Sequence, residues 1–305
     1  MARRSTGGST YGVLGWRRGE PTPLLGCWSG EIPRIIFDSS APENLGADDS
    51  MSSEFAAFID AEPIRVGRLP LFHLTDGHTF RQILGSDTLE PRPCSVYGED
   101  LLYFFYGRPS YRVNSDVGAA KLLSCLPVCF ILAGDDVEDC RRMMPFDSGA
   151  FSAGLFSPAV FARIHRDDFQ LTPRMESAQR LVSKFYESNG DYFWGRPKPA
   201  VSIPALQFEA EAYQELVQSR AAATFDDRCS ALEVQLHESY PLADGTVLAV
   251  IAPEPLLIEP VVKEAIGVRW RAQGIPYDFT RMKAVEYTSV IFHLAVRLLE
   301  DGGYL

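Results

Sequence analysis

Five histidines occur in the 305 residues, few enough to weigh one by one. His78 and His165 stand in polar, loop-like contexts and read as surface residues. His237 follows an alternating run beside Glu238, and His293 lies in the apolar stretch Val290-Ile291-Phe292-His293-Leu294, the setting of a hydrogen-bonded core histidine. His73 differs. It sits in the middle of the strand-like Leu71-Phe72-His73-Leu74-Thr75. Alone it too reads as a core histidine, but two further groups follow in order: the aromatic run Leu101-Leu102-Tyr103-Phe104-Phe105-Tyr106, then Glu233 inside Ala231-Leu232-Glu233-Val234-Gln235-Leu236. A ring nitrogen, an aromatic face and a strand-borne carboxylate can hydrogen-bond, stack, and act as base or stabilise positive charge.

Each group has a plainer reading. Carboxylates recur on half-exposed strands, so Glu238, Glu254 and Glu286 compete with Glu233; Glu286, in Ala284-Val285-Glu286-Tyr287, is the serious rival. Glu233 is favoured because Arg228-Cys229-Ser230-Ala231 leads into it and a β-branched run over 246–251 follows a hairpin through Asp244-Gly245. Pro145-Phe146-Asp147-Ser148-Gly149-Ala150-Phe151 is more simply a packed turn capped by Asp147 than a loop facing a substrate. Asp191-Tyr192-Phe193-Trp194-Gly195-Arg196 is likewise more simply a loop packed over the core. Cys125 and Cys129 have three residues between them, but Phe130-Ile131-Leu132 continues an apolar strand and no second ligand pair lies near, so no metal site is expected.

The elements that must position these groups follow from pattern and punctuation. Residues 1–66, rich in Gly, Ser, Pro and Asp at their start, read as a flexible N-terminal arm with at most one strand, and 67–305 as a single domain. Strand character opens at 70–75, and Asp76 or Thr79 can cap a short helix over 80–84 ended by Gly85. Strands are expected over 101–106, 126–132, 231–236 and 246–251; helices over 157–164, 176–189 and 207–223. The segment 276–279 is an edge piece, and 285–299 is either a further edge or a closing helix. Strands at both ends with helices between argue for an α+β fold. No GxGxxG follows a strand and no GxxxxGK[ST] occurs, so neither a Rossmann-type dinucleotide fold nor a P-loop is supported.

The net charge of -11 disfavours nonspecific binding of nucleic acid by the whole surface. Arg3-Arg4, Arg17-Arg18 and Arg141-Arg142 are the basic clusters, and solvated surface is their simpler reading. Reduced thiols, no secretion signal and no apolar run of membrane length lead to the expectation of a soluble cytoplasmic protein without membrane association.

Taken in order, these motifs resemble the ADP-ribosyltransferase superfamily, in its His-Tyr-Glu branch. Leu71-Phe72-His73-Leu74-Thr75 is similar to the first-strand histidine motif, Leu102-Tyr103-Phe104-Phe105 to the second, and Leu232-Glu233-Val234 to the late-strand glutamate. The region 71–112 also resembles the DarT-like group of bacterial transferases. The resemblance implies an α+β split β-sandwich with inserted helices and an enzyme that takes NAD+ as substrate. It would transfer ADP-ribose to a protein or nucleic-acid acceptor and release nicotinamide, in a toxin or defence setting. By the same resemblance Glu233 stabilises the oxocarbenium-like state or serves as base, His73 with Thr75 holds ribose, and Tyr103 lies against nicotinamide. Tyr111 offers a second stacking face, with Tyr106 as competitor; strand alternation puts Tyr103 and Tyr106 on opposite faces. Arg108, Arg81 and Arg112 are the candidates to clamp pyrophosphate, Arg108 best because it leaves the strand in a Gly-Arg-Pro turn. An NAD+ glycohydrolase and a non-catalytic binding protein on the same fold stand as alternatives.

Overall fold

Runs of β-branched and aromatic residues build one large sheet. The computed structural model describes residues 53–113, 121–156, 160–218 and 226–305, all inside the unit Ser50–Leu305. In chain order the strands are β1 (Leu71–Asp76), β2 (Thr88–Leu89), β3 (Arg92–Cys94), β4 (Glu99–Tyr106), β5 (Pro127–Leu132), β6 (Arg142–Met144), β7 (Glu233–Leu236), β8 (Tyr240–Pro241), β9 (Val247–Pro253) and β10 (Gln273–Tyr277). The sheet runs β10-β9-β5-β1-β4-β7-β6, with β3 also paired to β4, and β2 and β8 form a separate ribbon. Pairing is antiparallel except between β9 and β10.

The helices are α1 (Glu54–Asp60), α2 (Gly77–Ser86), α3 (Ser148–Ser152), α4 (Met175–Phe185), α5 (Asn189–Phe193), α6 (Phe208–Gln218), α7 (Glu254–Leu257), α8 (Pro260–Glu264) and α9 (Thr288–Asp301). Asp76 caps α2 by accepting from the Thr79 amide at 2.7 Å, and Gly85 lies inside that helix rather than ending it. The helix expected over 176–189 divides in two: Tyr186 turns extended, and Ser188 caps a new helix at Asn189. Of the helix expected over 157–164, residues 157–159 lie outside the described residues and 160–164 form turns. The helix expected over 207–223 runs to Gln218, and 219–225 lie outside the described residues.

The alternative left open at 285–299 resolves as a helix. Ile291, Ala295 and Leu299 recur every four residues and are buried, which is a helical stripe. Helix α1 falls within the span expected to be a flexible arm, yet Phe55 and Ile59 are buried in the same core cluster as Leu71, Phe104 and Tyr106. The arm boundary at 66 is therefore too late: Ser53 already caps an ordered helix. Among the described residues no helix is long and apolar enough to cross a membrane.

Pairing fixes which side chains share a face. Phe72 lies opposite Phe105, Phe105 opposite Glu233 and Tyr103 opposite Gln235, so these five side chains belong to one face. Leu71, His73 and Thr75 belong to the other, with Phe104 and Tyr106.

Candidate functional site

The site is a gap along one edge of β4. Strand β1 pairs with β5 over six positions but with β4 over only two, Leu71 with Tyr106 and Phe72 with Phe105. Further down the same strand β3 takes over, pairing Arg92, Pro93 and Cys94 with Leu101, Asp100 and Glu99. Between these two partners β1 and β4 diverge, and a cavity of about 480 Å³ opens, lined by His73, Thr75, Arg92, Cys94, Tyr103 and Tyr111 among others.

His73 is the first residue beyond the last β1–β4 pair. Its Nδ1 lies 2.9 Å from the carbonyl oxygen of Tyr103, a group that the divergence deprives of a ladder partner. Burial, then the charge of Arg92, opposes a second proton on the ring, and the hydrogen bond to Tyr103 does not compensate: the pKa falls to about 4. The ring is thus neutral at pH 7. Because Nδ1 faces a carbonyl, it carries the hydrogen and Nε2 is left as an acceptor.

Glu233 is 2% exposed. Its carboxylate accepts from the Ser148 hydroxyl at 2.7 Å, from the Ser148 amide at 3.2 Å and from the Gln235 amide group. Asp147, which caps α3 through the Ala150 amide at 2.8 Å, adds a second negative charge nearby. Burial first and Asp147 second raise Glu233 to about 7, against the lowering effect of the Ser148 and Gln235 bonds. The turn 145–151 therefore reaches the carboxylate through Ser148, where a packed turn was the plainer expectation.

Tyr103 and Glu233 are diagonal neighbours on one face; burial first, then the bond to Cys94 and the Glu233 charge, keep the Tyr103 phenol protonated. The Tyr103 hydroxyl donates to Cys94 Sγ at 2.7 Å on the cavity wall. His73 enters the cavity from the opposite face, with its ring against Phe104 and Phe130. Glu233 itself is not among the residues that line the cavity. So the structure brings His73, Thr75, Tyr103 and Tyr111 to one opening and leaves Glu233 one strand behind it.

The arginines are distributed otherwise than expected. Arg108 is 3% exposed and its guanidinium is taken up by the Tyr192 and Asp227 carbonyls, the Ser230 hydroxyl and the Asp227 carboxylate. It is a buried strut outside the cavity lining, and it corrects the expectation of a pyrophosphate clamp. Arg112 pairs with the same Asp227, and Arg81 lies on the exposed side of α2 beside His78. Arg92, which sequence reasoning passed over, is the cation on the cavity wall. Tyr106 is buried, with its hydroxyl accepting from the Leu69 amide, so of these two competitors Tyr111, 45% exposed, is the one that joins Tyr103 at the opening. Glu286 sits in the turn Ala284–Tyr287, exposed, and accepts from the Lys283 amide. Arg141 and Arg142 both pair with Glu99, and Arg142 also donates to Gln235 at 2.6 Å, which joins this cluster to the Glu233 network.

No protein-family model matches the chain, and no curated protein matches it. Among solved structures the chain is similar to DarT of Thermus sp. 2.9 in complex with NAD+, at 8% identity over 70% of this chain and 98% of that one, with a TM-score of 0.39. At that identity and score the likeness says nothing about individual residues.

Proposed function

We propose that the chain is an NAD+-dependent mono-ADP-ribosyltransferase on a split β-sandwich, passing ADP-ribose to a macromolecular acceptor and releasing nicotinamide. The single observation that carries this is the divided edge of β4, which opens a cavity bounded by a neutral imidazole, two tyrosines and one arginine, one strand away from a carboxylate raised to about 7. Nε2 of His73 and the Thr75 hydroxyl suit ribose hydroxyls, and the Tyr103 and Tyr111 rings suit a flat nicotinamide. Arg92 takes the pyrophosphate part expected of Arg108.

In the reaction the bond between C1′ of the ribose and the nicotinamide nitrogen breaks, and both electrons leave with nicotinamide. The acceptor's nucleophile bonds to C1′, and its proton goes to Glu233, whose raised pKa suits it to take up a proton near neutrality. The acceptor is a protein or a nucleic acid, and a cytoplasmic toxin or defence setting accompanies the resemblance.

Nicotinamide release and loss of NAD+ in the presence of cell lysate test this directly. Turnover by the wild type and its loss in Glu233→Ala are expected; no turnover with any acceptor, or full activity of Glu233→Ala, overturns it. The burial of Glu233 behind the cavity lining favours a second reading, a non-catalytic NAD+-binding protein, for which NAD+ binds and no nicotinamide appears. A glycohydrolase would instead accumulate free ADP-ribose with no modified macromolecule.

A further inference from the structure

Close to Glu233, joined to it through Arg142 and Gln235, stands a side chain that the transferase chemistry leaves without a part. Tyr97 stands on the turn between β3 and β4, where Gly98 adopts φ +70° and its amide donates to the Cys94 carbonyl at 2.8 Å. Its ring is held between two guanidinium groups: Cζ of Arg142 lies 3.8 Å and Cζ of Arg166 lies 4.0 Å from the ring centroid. Both arginines are themselves anchored, Arg142 by Glu99 and Gln235, Arg166 by Asp167 and the Val96 carbonyl. Each guanidinium is attracted by the negative face of the ring, which holds Tyr97 in place.

The Tyr97 hydroxyl is buried and lies beside Ser148 and Gln235, the two residues that bind the Glu233 carboxylate. A phenylalanine would fill the same space between the arginines. The charged and titratable groups facing Glu233 are Asp147 from the start of α3, Tyr103 from β4, Arg166, and Tyr97 itself.

We propose that Tyr97, clamped between Arg142 and Arg166, seals Glu233 from solvent and so sets how ADP-ribose is divided between an acceptor and water. The second half rests on the transferase reading; the seal does not. Water in the acceptor's place follows the same bond changes: its oxygen bonds to C1′, its proton goes to Glu233, nicotinamide leaves with the electron pair, and the product is free ADP-ribose. Tyr97 touches none of the reacting atoms. It is a positioning residue that acts through the carboxylate it covers.

Two variants of the full chain test this, Tyr97→Ala, which opens the seal, and Tyr97→Phe, which keeps it. The first readout needs no turnover: Glu δ-carboxyl carbons are labelled with 13C, the Glu233 signal is identified by its loss in Glu233→Gln, and it is titrated by NMR. The Glu233 midpoint is expected to fall from about 7 toward its ordinary value of 4.5 in Tyr97→Ala and to stay near 7 in Tyr97→Phe. An unchanged midpoint in folded Tyr97→Ala overturns the seal. The second readout is the ratio of free ADP-ribose to modified acceptor by mass spectrometry, expected to rise about tenfold in Tyr97→Ala and to hold in Tyr97→Phe. A ratio that stays at the wild-type value overturns the division of products. Absence of any NAD+ turnover in the wild type overturns the transferase reading and that division with it, while the titration still decides the seal. Should Tyr97→Ala not fold, Arg166→Ala removes one side of the clamp and is read by the same two measurements.

Discussion

The imidazole of His73 donates through Nδ1 to the carbonyl oxygen of Tyr103 at 2.9 Å, tying together two strands that have stopped pairing one residue earlier. One bond does two things. It satisfies a backbone acceptor that the divergence leaves exposed, and it fixes the tautomer that turns Nε2 into an acceptor.

His73→Ala removes both. The Tyr103 carbonyl then loses its partner, at about 1–3 kcal/mol if water does not replace it, and the proposed contact of NAD+ with Nε2 goes with it. Calorimetric titration with NAD+ and thermal unfolding should both register the change. His73→Gln, whose amide can donate to the same carbonyl, should recover more stability than NAD+ affinity. Equal recovery of both would remove the separate binding part.

The two perturbed groups pull stability in opposite directions with pH. His73 has its folded pKa lowered from 6.5 to about 4, so it contributes stability present above 6.5 and lost as pH falls toward 4. Glu233 is raised from 4.5 to about 7: the folded state holds a proton that the unfolded state has released, so stability falls as pH rises from 4.5 to 7. Glu233→Gln removes the second slope alone. It should unfold at higher temperature than the wild type at pH 8, by an amount worth about 3 kcal/mol, while the gap closes toward pH 4.5. A constant difference across that range would show that the carboxylate is not held near 7.

Ser148 donates to Glu233 from both its amide and its hydroxyl, and both bonds favour the ionised form. Ser148→Ala keeps the amide and loses the hydroxyl, so the carboxylate should hold its proton to higher pH. The acid limb of the nicotinamide-release profile is expected to move by about one unit to the alkaline side, with the rate at pH 7 reduced. A shift to the acid side would contradict the assigned proton acceptor.

Arg92 and Arg108 should separate cleanly. Arg92→Ala, at the cavity wall, is expected to raise KM for NAD+ about tenfold with little change in melting temperature. Arg108→Ala strands the Tyr192 and Asp227 carbonyls and the Ser230 hydroxyl, and should destabilise by about 3 kcal/mol while KM changes little. Lysine does not restore Arg108, because one ammonium cannot replace a planar fork that serves four acceptors.

Strands β1, β4, β5 and β9 were legible because a dense apolar or aromatic run bounded by Gly or Pro leaves few alternatives. His73 before Thr75 and Glu233 in an alternating run were legible for the same reason: a polar residue in such a run must find a partner. What escaped lies where local pattern carries no tertiary information. Asp147 and Ser148 look like an ordinary helix cap, and only the approach of β7 turns Ser148 toward Glu233. Arg92 belongs to a three-residue strand whose exposed side chains resemble a loop. Arg108 misled in the opposite way, since a turn arginine next to an aromatic strand suits a ligand and a buried strut equally well. Helix α1 was hidden by its setting after a polar segment, where Phe55, Ala56 and Ile59 mark a buried side.

The divided edge of β4 also bears on how the opening can change size. Strand β1 is fastened along its whole length to β5, so the width of the opening is governed by where β4 leaves β1 and joins β3. One more rung of pairing at Tyr103 would need the His73 ring to release that carbonyl, and it would narrow the opening from one end like a closing zip. The imidazole is therefore a wedge as well as a contact, and the room for a ligand depends on the register at which it stops the strands from meeting.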